Sequence, residues 1–150
     1  MHRGPLKNYA PVKISSSPRR SLDPALAKLA PERGFIFLSG GFVSTPRRCV
    51  VDLQRGTFVL EDGGKLGASS FEPHARRVER ALAPQETADL TAKANAVWAS
   101  SDSFMNMPPI ADFDVRLVLA DGEAVRDIRS YGPPRGAVDA LYDAAMLLAP

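Results

Sequence analysis

The stretch FDVRLVLADGEAVRDIRSY, residues 113–131, decides the fold. Phe113, Val115, Leu117 and Leu119 alternate with Asp112, Asp114 and Arg116, the period of a strand with one face buried. Asp121-Gly122 is a two-residue turn signal, and Val125 to Tyr131 returns. A turn that short joins neighbouring antiparallel strands, because a parallel pair needs a long crossover. Upstream the pattern recurs. Cys49, Val51 and Leu53 alternate with Asp52 and Gln54, Gln54-Arg55-Gly56 turns, and Thr57 to Leu60 comes back with Phe58 and Leu60 on one face.

Further elements extend outward from these two hairpins. Phe35-Ile36-Phe37-Leu38 is a continuous apolar run, suited to a strand buried on both faces. Gly40-Gly41 is expected to interrupt it as a bulge or sharp turn, with Phe42-Val43 resuming. Arg76 to Leu82 reads as an extended edge segment, whose charges discourage the addition of another strand. Pro84 opens a helix with Glu86 in its first turn and Leu90, Ala94, Val97 and Trp98 on one stripe. A last helix carries Val138, Leu141, Tyr142, Ala145 and Leu148 at spacings of three and four. Asp23-Pro24 caps a short helical run to Ala30, closed by Pro31.

Hairpins and helices without strict βαβ alternation predict an α+β fold. The expectation is a single antiparallel sheet of four to six strands, with two main helices, Pro84–Ala99 and Ala137–Leu148, packed on one face. Cys49, Val51 and Leu53 should share an interior with Phe113, Val115 and Leu117, lidded by Trp98 and Leu141.

The 150 residues suit one domain, at 45% hydrophobic and 24% charged. The chain carries 19 basic and 17 acidic residues; five of the basic ones and no acid precede Asp23, leaving 14 against 17 beyond it. Residues 1–22 are therefore expected as a disordered basic tail, and 23–150 as the single α+β domain. The pI of 8.9 belongs to the tail, whereas a nucleic-acid-binding domain carries its charge on the fold, so no nucleic-acid partner is expected. No apolar run reaches the length of a membrane span or of a signal peptide. A cytoplasmic or a periplasmic location, the latter with its signal removed, fits equally.

Ser39-Gly40-Gly41-Phe42 after an apolar strand resembles the opening of the emfourin family, small bacterial inhibitors of thermolysin-type metallopeptidases. The helix start Leu82-Ala83-Pro84-Gln85-Glu86 and the ending Val125 to Pro134 before a last helix are similar to a neighbouring group of uncharacterised bacterial domains, often attached to lipoproteins. The resemblance covers the layout of about residues 35–150 and implies an inhibitor or envelope-associated scaffold; the Cys49–Leu60 hairpin and the long tail depart from the emfourin pattern.

Several residue sets carry possible chemistry. Cys49 with His74 is the one thiol–imidazole pair available, the basis of a small thiol-dependent enzyme if the sulfur were exposed beside Arg47 and Arg48. Its inward register argues instead for a structural thiol. Met105 and Met107 offer soft sulfur, but methionines filling a gap over the sheet are the commoner arrangement, and no cofactor or metal is expected. Asp112, Asp114, Asp121, Glu123 and Asp127 surround one hairpin among Arg116, Arg126 and Arg129, the composition of a solvated face with cross-strand ion pairs. Gly63-Gly64-Lys65-Leu66-Gly67 lacks the phosphate-loop spacing and reads as a turn. Gly40, Gly41 and Phe42, with Tyr131 and Pro133-Pro134, are the expected binding surface at one end of the sheet. The functional expectation is a non-enzymatic binding module with a protein partner, an inhibitor of a bacterial metallopeptidase in its most specific form.

Overall fold

A computed structural model describes residues 9–10, 12–13, 15–41, 46–63, 76–100, 113–131 and 136–149. It is α+β, with one antiparallel sheet. The strands are β1 (Ser17–Pro18), β2 (Arg33–Gly41), β3 (Arg47–Asp52), β4 (Thr57–Asp62), β5 (Arg76–Ala81), β6 (Phe113–Asp121) and β7 (Ala124–Tyr131). The helices are α1 (Pro24–Leu29), α2 (Pro84–Trp98) and α3 (Gly136–Met146). Across the sheet the order is β1-β7-β6-β2-β3-β4-β5.

Among the described residues seven strands stand against the four to six expected, and the additional one is β1. Two residues, one of them proline, carry no hydrophobic period to read, and only their pairing of Ser17 with Val125 and Pro18 with Ala124 makes them a strand. A second correction concerns Gly40-Gly41. They do not interrupt β2, which pairs without a break down to Gly40 with Asp114 and Gly41 with Phe113. Long pairing with β6 fixes the backbone there, so the freedom of the glycines goes unused. The other elements fall where the periods put them. The β6–β7 turn is Gly122-Glu123, one residue beyond the expected pair, with Gly122 at a φ of 60° as a tight hairpin turn needs.

The central strand explains the layers. Phe35 and Phe37 point to one face of the sheet, Ile36 and Leu38 to the other, and all four are buried. On the first face they meet Cys49, Val51, Phe58, Leu60, Val115, Leu117 and Leu119 beneath Leu90, Ala94, Val97 and Trp98 of α2 and Val138, Leu141 and Ala145 of α3. On the second face Leu22 and Leu26, the latter in α1, cover Ile36, Leu38, Val118, Ala120 and Val125. α1 begins as expected, with the Asp23 carboxylate accepting from the Ala25 N–H at 2.9 Å and proline in the first turn. At the start of α2 the Glu86 carboxylate accepts from the Ala83 N–H at 2.9 Å and from Arg80 at 2.6 Å, and these contacts hold its pKa below the ordinary value.

Residues 9–22 differ most from the expectation of a free tail. Tyr9 is buried in the main core; Trp98 Nε1–H donates to its hydroxyl at 3.1 Å, and the hydroxyl proton faces the carbonyls of Ala120 at 3.0 Å and Gly34 at 3.1 Å. The Ala10 N–H donates to Asn95 Oδ1, and Lys13 sits 2.7 Å from Asp121 and 5.7 Å from the centre of the Trp98 ring. Arg19 donates to the carbonyls of Gly122 at 2.7 Å and Pro31 at 2.9 Å. The charges of Lys13 and Arg19, which read as part of a solvated tail, go instead to backbone carbonyls, a carboxylate and an aromatic face. Charge composition does not register such pairing.

Candidate functional site

The expected contact residues meet through strand register. β2, β6 and β7 are neighbours, so Gly40, Asp114 and Tyr131 form one row across three strands, with Gly41 opposite Phe113 beyond it. Gly40 and Tyr131, 91 positions apart, thus arrive at the same end of the sheet. Gly40 is buried there. Phe42 and Pro133-Pro134 lie outside the described residues.

Behind this row, Ser39 is buried, with the Tyr142 hydroxyl of α3 donating to its Oγ at 3.5 Å. The Tyr142 ring meets Phe37 edge-on, centroids 5.2 Å apart at 83°. These contacts seat α3 over the strand ends.

The same end carries a feature that sequence reasoning missed. The row from Ser39 continues through Arg47 of β3 and Asp62 of β4 to Arg76 of β5. Asp62 lies 2.6 Å from Arg47 and 3.4 Å from Arg76. One row along and on the opposite face, Glu61 lies 2.7 Å from Arg48 and 3.8 Å from Arg77. Two arginine–carboxylate–arginine ladders therefore run one on each face, and Arg77 also takes Glu79 of its own strand at 2.9 Å. Each ladder orients its side chains, and together they make this corner rich in arginine. The signal in the sequence was three charged doublets, Arg47-Arg48, Glu61-Asp62 and Arg76-Arg77, each at a strand end. Only the register aligns them.

Cys49 is fully buried among Phe37, Val51 and Leu60, as its register predicts, and burial pushes its thiol pKa up to about 12, with Arg47 opposing weakly. So high a pKa removes the thiolate that nucleophilic chemistry needs. His74, Met105, Met107, Asp112 and the segment Gly64–Gly67 lie outside the described residues. Asp121, Asp127 and Glu123 of the hairpin do not converge. Asp121 takes Lys13 at 2.7 Å and Arg33 at 3.1 Å, Asp127 takes Arg116 through two bonds of 2.6 and 2.9 Å, and Glu123 stands exposed at the turn. Arg126 is buried and donates to the carbonyls of Val97 at 2.5 Å and Ser100 at 2.6 Å, capping the C-terminal end of α2. Among the described residues, no group of three or more His, Cys, Asp or Glu side chains is placed to hold a metal ion.

On the second face α1 covers only part of the sheet. An open groove of about 990 Å³ remains beside it, walled by Leu29 and Pro31, floored by Val50, Asp52 and Thr57, and rimmed by Lys28 and Glu79. Its lining is mixed in charge. No helix among the described residues is long and apolar enough to cross a membrane.

The thiol makes a direct prediction. Iodoacetamide at neutral pH is expected to leave Cys49 of the folded chain unmodified and to alkylate it once the chain is unfolded in urea, as read by intact mass. Rapid alkylation under native conditions would contradict the buried thiol.

No protein-family model, curated protein or solved structure matches this chain.

Proposed function

We propose that the chain is a non-enzymatic protein-binding module, and that its contact surface is the end of the sheet where Gly40, Gly41 and Tyr131 share adjacent strands with the arginine ladders. The observation that carries the reading is the pair of ladders. Four arginines on β3 and β5, ordered by Asp62, Glu61 and Glu79, form an arginine-rich corner suited to steering and docking an acidic protein surface. The buried Cys49 thiol supports the non-enzymatic side, since the alternative thiol-dependent enzyme would need that sulfur exposed near His74.

In its most specific form the partner is a thermolysin-type metallopeptidase, as the likeness to emfourin-type inhibitors implies. An inhibition assay against such a peptidase, with the double variant Arg76→Glu/Arg77→Glu as comparison, tests both levels. Inhibition that weakens about tenfold or more in the variant, and weakens in wild type as salt rises, is the expected result. Absence of both inhibition and complex formation overturns the peptidase form. A complex indifferent to salt and to the variant overturns the arginine-rich corner as the contact.

A further inference from the structure

We propose that β7 carries a second interaction surface, through which two copies of this chain pair edge to edge and antiparallel about a two-fold axis at Ile128. β7 runs from Ala124 to Tyr131 and pairs along its length with β6, whereas β1 covers only Ala124 and Val125. The chain that would extend β1 along this edge turns away. Ser15 sits at a φ of 59°, a left-handed conformation that breaks an extended run, and the residues before it lead Lys13 to Asp121 and Tyr9 into the core. Among the described residues, Asp127 to Tyr131 thus have a strand partner on one side only. Such an edge offers a row of backbone donors and acceptors ready to template another strand.

The side chains select the occupant. Asp127 and Arg129 are exposed on one face of β7, while Ile128 between them is buried on the other. Antiparallel pairing with the axis at Ile128 brings Asp127 opposite Arg129 of the second copy, and Arg129 opposite its Asp127. Two opposite-charge pairs form at once. Moving the axis to Asp127 or to Arg129 sets like charges face to face, so charge fixes the register. Asp127 keeps its two bonds to Arg116 and receives the new arginine from the other side. The ladder stops where it must, because Val125 is already paired with Ser17. The opposite edge of the sheet is less well matched: an axis at Val78 of β5 would set Arg77 against Glu79 but also Arg76 against Arg80, so attraction and repulsion fall in the same register. An interface that is the same patch on both copies closes as a dimer and does not propagate.

Sedimentation equilibrium of the full chain over a range of concentrations tests the pairing. Wild type is expected to show a reversible monomer–dimer equilibrium. Arg129→Asp and Asp127→Arg, each folded as judged by circular dichroism, should each weaken it roughly tenfold or more. An equimolar mixture of the two variants should recover association, since each supplies the charge the other lacks. Wild type that stays monomeric at the highest attainable concentration overturns the proposal. So does a dimer that neither variant weakens, or a mixture that fails to recover association. A monomer whose β7 amides gain hydrogen-exchange protection only on adding an extended peptide overturns it in favour of a different occupant. None of these readouts involves a peptidase, so the outcome is independent of the proposed inhibitory role.

Discussion

Replacing Tyr9 by alanine is expected to lower the free energy of unfolding by roughly 3–5 kcal/mol, the usual cost of deleting a buried aromatic ring. The ring belongs to the main core although it stands nine residues from the start of the chain. Its hydroxyl is also the meeting point of the Trp98 indole N–H and the carbonyls of Gly34 and Ala120, so it ties α2 to β2 and β6. Tyr9→Phe separates the two contributions. It keeps the ring and removes the oxygen that satisfies a buried N–H, at a cost of about 1–3 kcal/mol. Urea unfolding followed by tryptophan fluorescence measures both, with the midpoint falling further for alanine than for phenylalanine. A variant lacking residues 1–16 should lose at least as much as Tyr9→Ala. If that truncation left the midpoint unchanged, the N-terminal segment would be a passive tail after all.

Gly34→Ala is expected to be equally damaging for a different reason. A Cβ at residue 34 would lie 2.0 Å from the Val51 carbonyl oxygen and 2.8 Å from Pro31 Cγ. The first obstacle is backbone of the neighbouring strand, and it moves only if the pairing of β2 with β3 moves with it. Overpacking of this kind costs roughly 3 kcal/mol. Gly122→Ala makes the matched control. Nothing lies within 4 Å of its Cβ position, and its φ of 60° leaves only the left-handed penalty of about 1–2 kcal/mol. Unfolding midpoints in the order wild type, Gly122→Ala, Gly34→Ala are therefore expected. A Gly34→Ala variant as stable as Gly122→Ala would show that β2 and β3 can separate at that point without loss.

These two positions also mark where reading the chain by pattern fails. Nothing in the neighbourhood of Tyr9 repeats with a period, and its partners are 25, 89 and 111 residues away. Gly34 precedes a strong strand signal and gives no local sign that another backbone passes beside it. At Gly40-Gly41 the local preference was legible and lost, because nine consecutive pairs with β6 outweigh the freedom of two glycines. The arginine ladders were visible as doublets, but whether doublets on separate strands meet depends on register, which no single strand contains. Cys49 was different. Its inward place followed from alternation alone, since a residue flanked by Arg48 and Val50 with Val51 and Leu53 in phase has one face left to it.

Sequence by itself determined the α+β class, the antiparallel hairpins, the two long helices to within two residues at their ends and the burial of the thiol. Each of these rests on a period of 2 or 3.6 residues, and periodicity is a property of neighbours along the chain. Tertiary structure alone decided that Tyr9 and Ala10 join the core, that β1 caps only the first two residues of β7, and that arginines of β3 and β5 meet across the carboxylates of β4. Those outcomes depend on contacts between distant segments, whose energies arise only once the sheet has brought them within a few ångströms.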